Sequence, residues 1–312
     1  MMKPRQYASK TAPQSTTKPS GAANPSKSRE SLKNQGLPPG LYVVSTPIGN
    51  ASDITLRALR VLQNADALIV EDSRVTAKLL AIHKISRPLI VYNDHTSERE
   101  RARILSRLKS GERLALVSDA GTPLVSDPGF KLVQAAIEEG IAVSAIPGAS
   151  ATLAALVVSG LPPGRFMACG FLPPKSAQRR KALRELSTIP ATLIFYESPQ
   201  RLSETLDDMR AMLGDRDAAI ARELTKLHEH VERGVLSTLA EKFSREESKG
   251  EIAIVVAPPR PGTADSSSLD ERLSARLGEV SLKQAVADIA AELGLPRKIV
   301  YARALQLAKP KS

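Results

Sequence analysis

From Leu41 onward the chain alternates short aliphatic runs with longer segments whose apolar residues recur every three or four positions. Leu41–Ser45, Ala67–Glu71, Leu89–Tyr92, Leu114–Ser118 and Val143–Ile146 are runs of the kind that form buried strands. Helical segments of roughly 10 to 15 residues lie between them. One opens with the capping-box spacing Ser97-x-x-Glu100 and ends before Gly111. Another takes Asp127 as N-cap, Pro128 as first helical residue and Gly140 as stop. This alternation predicts an α/β fold with a mostly parallel sheet covered by helices.

Gly160-Leu-Pro-Pro-Gly164 breaks the pattern, and a second α/β block follows with strands near 166–171, 191–196, 217–222 and 251–257. Pro258–Ser268 reads as a linker by composition. Leu269–Lys309 is helical, with Leu282–Leu293 and Arg297–Leu307 joined at Gly294-Leu-Pro296. That pair resembles a helix-turn-helix, and equally a small hairpin packed on the body. The expected division is a tail at 1–36, α/β domains at 37–160 and 161–260, and a linker with a helical module at 261–312.

Composition narrows this picture. The 312 residues are 42% hydrophobic, with no Trp, five Tyr and five Phe, so the cores must be aliphatic. A base-stacking aromatic sheet is disfavoured. Net charge is +11, of which +6 falls in residues 1–36, where seven Lys and Arg face Glu30 alone. That Ser-, Thr-, Pro- and Lys-rich tail has no apolar block, which excludes a secretory signal and suggests a disordered basic extension. The residual excess mildly favours a polyanionic partner. The single Cys169, among Met167, Ala168 and Phe171, forms no intrachain disulfide and reads as a buried small residue in a reducing compartment. The 25 uncharged residues between Glu139 and Arg165 are broken by Pro147, Gly148, Gly160, Pro162 and Pro163, so they read as buried core and not as a membrane span.

Three strand-end loops of small residues carry the chemistry. The longest, Ser118–Gly129, joins a strand to a helix through Asp119, Ala120, Gly121, Thr122, Pro123, Val125 and Asp127. Ligands of open α/β sheets bind outside the carboxyl ends of strands, where such loops lie. Gly121 allows close backbone approach, and the two aspartates can bond hydroxyl or ammonium groups. The second loop, Ser45-Thr-Pro47-Ile-Gly-Asn50, is neither a Walker loop nor a GxGxxG fingerprint. The third, Ile146–Thr152, contains Ser150 and Ala151.

Ser45–Asn50 followed by Asp53-Ile-Thr, then Glu71-Asp-Ser-Arg74, Ser118–Gly129 and Phe171-Leu-Pro-Pro-Lys175, together resemble one family. Phe195-Tyr-Glu-Ser198, Ala221-Arg-Glu-Leu-Thr-Lys226 and Gly250-Glu251 extend the match over about residues 40–307. The family is the tetrapyrrole-methylase-like class of S-adenosylmethionine methyltransferases, and within it the branch acting on the 2′-oxygen of a cytidine in small-subunit ribosomal RNA. The resemblance implies two α/β domains with S-adenosylmethionine in the cleft between them and no metal. It also implies small-subunit ribosomal RNA as partner, a homodimer, and a cytoplasmic location without membrane contact. By analogy Pro47, the Asp119–Asp127 loop, Ser150, Ala151, Tyr196, Ala221 and Gly250 form the cofactor pocket. Thr122 stands where small-molecule relatives carry an aspartate, which shifts ribose contacts toward Asp119 or the backbone.

A methyl transfer of this kind needs alignment, and a base or cation near the oxygen assists. The candidates are Asp72 with Arg74, His95, whose imidazole suits proton exchange near neutrality, and Lys226 as a charge stabiliser or phosphate contact. His95 equally reads as the start of a charged helix, and Glu71, Asp72 and Arg74 as a salt-bridge cluster. His228-x-His230 on one strand face would be a metal pair, but further ligands are lacking. Arg179-Arg-Lys181 reads as a solvated helix face that an RNA backbone could meet. Two other functions fit parts of the pattern: a tetrapyrrole or corrin C-methyltransferase, and a non-catalytic nucleic-acid-binding regulator.

Overall fold

Each aliphatic run between Leu41 and Ile146 forms a strand in the computed structural model, which describes residues 36–93, 95–125, 127–245, 249–259, 266–293 and 297–308. The chain divides into two units at Pro38, and all that follows concerns the second. The expected basic tail lies outside the described residues, apart from Gly36.

Strands β1 (Gly40–Val44), β2 (Ala67–Val70), β3 (Leu89–Val91), β4 (Arg113–Val117) and β5 (Val143–Ile146) form a sheet in the order β3-β2-β4-β1-β5. Every pairing is parallel, as the alternation implies, so all five carboxyl ends open on one edge. Helices α1 (Leu56–Asn64), α2 (Ser73–Ile82), α3 (Glu98–Lys109) and α4 (Phe130–Glu138) connect them. Ile104 and Leu108 of α3, with Leu132 and Ala136 of α4, bury one face formed by Leu41, Ile69, Leu114 and Leu116. The Ser97–Glu100 capping box forms as expected. The start of α4 does not: Gly129 is its N-cap, and Asp127 lies in the bend before it. The Asp127 carboxyl accepts from the Ser118 side chain instead of capping the helix.

The second sheet contains β6 (Phe166–Phe171), β7 (Thr192–Glu197), β8 (Asp217–Arg222), β9 (His230–Val235) and β10 (Ile252–Val256), in the order β6-β7-β10-β8-β9. Only β6 and β7 run parallel. The others pair antiparallel. Alternate residues along a strand point to opposite faces, and the two faces have different covers. Leu193, Phe195, Ile220 and Ile254 pack against α6 (Ser176–Leu186), α7 (Leu202–Leu213) and α8 (Leu236–Arg245). Ile194, Ala219, Ala221, Ala253 and Val255 pack against Ala155 and Leu156 of α5 (Ala151–Ser159) and against Ile48. The last helix of the first block thus covers the second sheet.

Several expectations are corrected. Strand β9 is absent from the sequence reading because His230-Val-Glu-Arg-Gly-Val235 is a polar, partly exposed edge. His228 precedes this strand, so the two histidines share no strand face, and His230 pairs with Glu232 at 3.1 Å. The uncharged stretch is not uniformly core: Leu153 is 50% and Val157 74% exposed on α5. Cys169 is half-buried against the α6–α8 core. Helix α9 (Ser266–Leu277) begins inside the expected linker, serine being also a helix-start residue. It packs with α10 (Leu282–Leu293) and α11 (Arg297–Ala308) around a core of their own that includes Leu273, Ile289 and Val300. The turn expected at Gly294–Pro296 lies outside the described residues.

Arg179 is the plainest reversal. It is 1% exposed, with Nε donating to Asp208 Oδ2 at 2.7 Å, while Arg180 Nε reaches Oδ1 at 2.5 Å. Burial pushes the Asp208 carboxyl up, but bonds from Arg180, Arg179 and Ser176 outweigh it and hold the group below the usual carboxylate range. That contribution is present above the unfolded-state value and is lost as pH falls through the folded one. Asp208→Ala leaves the buried Arg179 guanidinium with only the exposed Glu204, at 3.5 Å, as a charged partner and should cost about 3–5 kcal/mol in urea unfolding at neutral pH. The gap to wild type should narrow in acid, and a neutral-pH loss below about 1 kcal/mol would contradict a buried pair.

Candidate active site

Where the carboxyl ends of the first sheet meet the second sheet, they enclose a cavity of about 530 Å³. That is within the roughly 300–1,000 Å³ of small-molecule sites. The loop after β4 supplies Asp119, Ala120, Gly121, Thr122, Val125 and Asp127. Ile48 follows β1, Glu71 follows β2, and Ser150 and Ala151 open α5. The second sheet contributes Phe171, Tyr196–Pro199, Ala221, Leu224 and Gly250–Ala253. Of the expected pocket residues, Pro47 and Pro123 do not line the cavity, and Pro47 is buried beside it.

The first two loops hold one another. Thr46 N–H donates to Gly121 O at 2.8 Å, and Gly121 N–H returns to Thr46 O at 3.1 Å. Gly121 sits at φ 82, where a side chain is strained. A Cβ there would also stand 3.3 Å from Ile48 Cγ2. Thr122 Oγ1 donates to Ala149 O at 3.0 Å and lies 3.0 Å from Ser45 Oγ, so its hydroxyl fastens the third loop to the others. The next turn places Leu124 at φ 74 with its half-buried side chain packed against the α3–α4 core. Ser150 is the N-cap of α5, its Oγ accepting from Leu153 N–H at 3.4 Å.

The wall from the second sheet is equally fixed. Tyr196 OH lies 2.6 Å from Thr152 Oγ1, and its ring is 5.6 Å from that of Phe171 at a tilt of 52°. Gly250 has φ 86, and a Cβ there would run into the Glu223 carboxylate. Glu223 accepts from Glu251 N–H at 2.9 Å and from Lys226 Nζ at 2.8 Å. Glu197, at the mouth of β7, accepts from Ser198 N–H and from Thr205 Oγ1.

The cavity is acidic. Burial raises the Asp119 carboxyl above its ordinary value, against the lowering pull of the Asp72 N–H bond. Burial also raises Asp127, with Asp119 as a further contribution. Two carboxylates that ionise reluctantly, beside Glu71 and two aromatic rings, make a site that a cation relieves.

None of the four reaction candidates lines this cavity. Asp72 is the N-cap of α2 and pairs with the exposed Arg74 at 2.6 Å. Hydrogen bonds from Arg74 hold its carboxyl at about 2, so it is a poor proton acceptor. Its N–H donates to Asp119 Oδ1 at 3.1 Å, which makes it a support for that group. His95 is exposed beyond β3, the outermost strand of the first sheet, and its backbone N–H donates to Asn93 Oδ1. Lys226 bridges Glu223 and Glu251 at 2.8 and 3.1 Å, and its aliphatic stem packs where a Cβ of Gly49 would stand, 2.6 Å away. Burial would lower its ammonium pKa, but the two glutamates win and raise it. Among the described residues, no group of three or more His, Cys, Asp or Glu is placed to hold a metal.

A model of the family Tetrapyrrole (Corrin/Porphyrin) Methylases matches residues 40–240, and one of the RsmI C-terminal HTH domain matches residues 263–308. The chain belongs to the tetrapyrrole methylase family. It is 45% identical over 273 residues to the ribosomal RNA small subunit methyltransferase I of Mesorhizobium japonicum, covering 87% of this chain and 93% of that one. Its counterpart in Halalkalibacterium halodurans is 44% identical, with coverages of 88% and 98%. A diphthine synthase structure superposes with a TM-score of 0.52 at 19% identity, over 70% of this chain and 89% of that one. A cobalt precorrin-4 methyltransferase gives 0.51 at 18%, over 70% and 94%. These two share the fold. The chain is a methyltransferase with the two-sheet architecture of its family.

Sequence reasoning missed Ile48, Glu71, Phe171, Glu197, Ser198, Pro199, Leu224, Glu251, Ile252 and Ala253 as cavity residues. All but Pro199, Ile252 and Ala253 lie in the motifs named above. After β2, Glu71 lines the cleft while its neighbour Asp72 caps α2.

Because Asp127 ionises at a cost, its contribution to stability is greatest when protonated and declines as pH rises through its raised folded-state value. Asp127→Asn should therefore raise the ligand-free melting temperature at neutral pH and lose that advantage near about pH 3, below the ordinary carboxylate value. A lower melting temperature at neutral pH would show that the carboxylate is stabilising.

Proposed function

We propose that this chain transfers a methyl group from S-adenosylmethionine to small-subunit ribosomal RNA, at the 2′-oxygen of a cytidine ribose. The observation that carries the reading is the acidic, aromatic-edged cavity between the two sheets, in a chain about 45% identical over most of its length to ribosomal RNA small subunit methyltransferases I. S-adenosylmethionine fits the donor set: Asp119, Asp127 and Glu71 offer negative charge, Tyr196 and Phe171 offer π faces, and Ile48, Ala221, Leu224 and Ala253 offer an apolar floor. When bound, it supplies a methyl already activated by the positive sulfonium.

The residues of the chain then have to align and shield. Gly121 and Gly250 let backbone come close from opposite walls, and the Thr46–Gly121 bridge keeps the first wall still. Thr152 fixes the Tyr196 ring. Of the four reaction candidates, Lys226 acts through Glu251, which it holds at the cavity rim, and Asp72 acts through Asp119. His95 and Arg74, exposed on the strand-end side of the first sheet, are placed to meet RNA. Alignment of an activated methyl with a ribose oxygen supplies most of the acceleration; as the O–CH3 bond forms, the S–CH3 bond breaks to leave the neutral thioether, and the hydroxyl proton passes to water.

We also read the enzyme as a cytoplasmic homodimer organised in the segments 1–36, 37–160, 161–260 and 261–312. Leu153 and Val157 on α5, with Phe166 and Met167 on the edge strand β6, are exposed apolar side chains that a second copy would cover. No helix among the described residues is long and apolar enough to cross a membrane.

Titration calorimetry with S-adenosylmethionine should show one site per chain, lost in Gly121→Val. Labelled methyl should appear in small-subunit RNA and, after digestion, as 2′-O-methylcytidine. A label on the base would retain the enzyme class and overturn the position. Sedimentation should give a dimer that Val157→Asp shifts toward monomer, and a wild-type monomer at micromolar concentration would remove the second copy from the reading.

A further inference from the structure

The C-terminal helices frame a second hollow, of about 560 Å³, between the first turn of α10 and the exposed side of α11. Its lining includes Lys283, Arg297, Lys298 and Tyr301, with Val286 and Ala287 as a small apolar floor and, among the described residues, no acidic side chain. Arg297, Lys298 and Tyr301 fall on one helix face by their spacing.

The charge here is selective. Two other arginines of the module are neutralised internally: Arg276 bonds Asp288 and Glu279 at 2.9 and 2.8 Å, and Arg303 bonds Asp270. Among the described residues, none of the three cations of the hollow has such a partner. Tyr301 is 47% exposed at the edge of this hollow. Three unneutralised cations around a flat ring and a shallow apolar floor match a phosphodiester strand with an unstacked base.

We infer that this hollow clamps one nucleotide of single-stranded RNA, with flanking phosphates on Lys283, Arg297 and Lys298 and a base against the Tyr301 ring. The inference rests on the ribosomal RNA reading and adds to it a second contact, away from the methyl-transfer cavity. A paired stem is the poorer occupant, because the major groove of an A-form helix is too narrow for α11 and stacked bases cannot reach Tyr301.

The test uses the full chain and a short fluorescent single-stranded RNA, with anisotropy read across a salt series. Lys283→Gln/Arg297→Gln/Lys298→Gln should weaken binding more than about tenfold and reduce the salt slope by about 2, at roughly 0.7 per phosphate. Tyr301→Leu, which keeps bulk but removes the ring, should weaken it roughly 5- to 150-fold with an unchanged slope. Both variants should melt like wild type and bind S-adenosylmethionine normally. In methyl transfer to small subunits they should raise KM and leave kcat unchanged. Unaltered RNA affinity and slope in the triple variant, with wild type still methylating subunits, would overturn the clamp and leave the substrate reading standing. Loss of RNA affinity in the variants, with wild type inactive on subunits, would support the clamp and remove that substrate. Displacement of the RNA by poly-glutamate as readily as by unlabelled RNA would overturn the clamp.

Discussion

The burial of Ile48 and α5 against the second sheet is the contact on which the rest of the structure depends. Ala155 and Leu156 are nearly inaccessible there, against Ala219, Ala253 and Val255. A helix that belongs in chain order to one α/β block thereby becomes the cover of the next. Without it, that sheet face would stand open to water, at roughly 25 cal/mol for each Å² of apolar surface left uncovered. With it, the strand ends of two separate sheets face each other at a fixed separation. The cavity is what lies between them.

This arrangement separates two electrostatic demands. The chain as a whole is strongly basic, as suits a polyanionic substrate, yet Glu71, Asp119, Asp127 and Glu251 gather at one cavity. Asp119 is held there by the backbone N–H of Asp72, and Asp127 by the Ser118 hydroxyl. Lys226 is the exception: it reaches the rim and is claimed there by two glutamates, so its charge does not enter. A cationic cofactor and an anionic macromolecule can then be attracted by one chain without competing for one surface.

The parallel sheet, the capping box at Ser97 and the three loops were legible because each rests on local signals: aliphatic runs, a four-residue spacing, clusters of small residues. The features that were not legible rest on long-range compensation. Arg179 looks like a surface charge until Asp208, on another helix, is placed beside it. The polar His230–Val235 carries no aliphatic run to mark a strand, and β8 offers it an edge. Asp127 has the spacing of a helix cap, but Ser118 claims its carboxylate. Of the residues the family resemblance offered for the pocket, Pro47 is buried beside the cavity that Ile48 lines; of the reaction candidates, Asp72 caps α2 next to the cavity-lining Glu71, and His95 lies out beyond β3.

Leu124 shows how the cavity loop keeps its shape. A leucine at φ 74 occupies backbone space that costs such a residue on the order of 1 kcal/mol or more. It stays because its half-buried side chain packs against the apolar residues beneath α3 and α4. The loop is therefore moored from below. It cannot relax outward without drawing a leucine into water, and it cannot settle further inward without meeting Gly129 and Leu116. Apolar burial, the least directional of the forces in a protein, is turned at this one residue into a fixed path for the polar groups on either side.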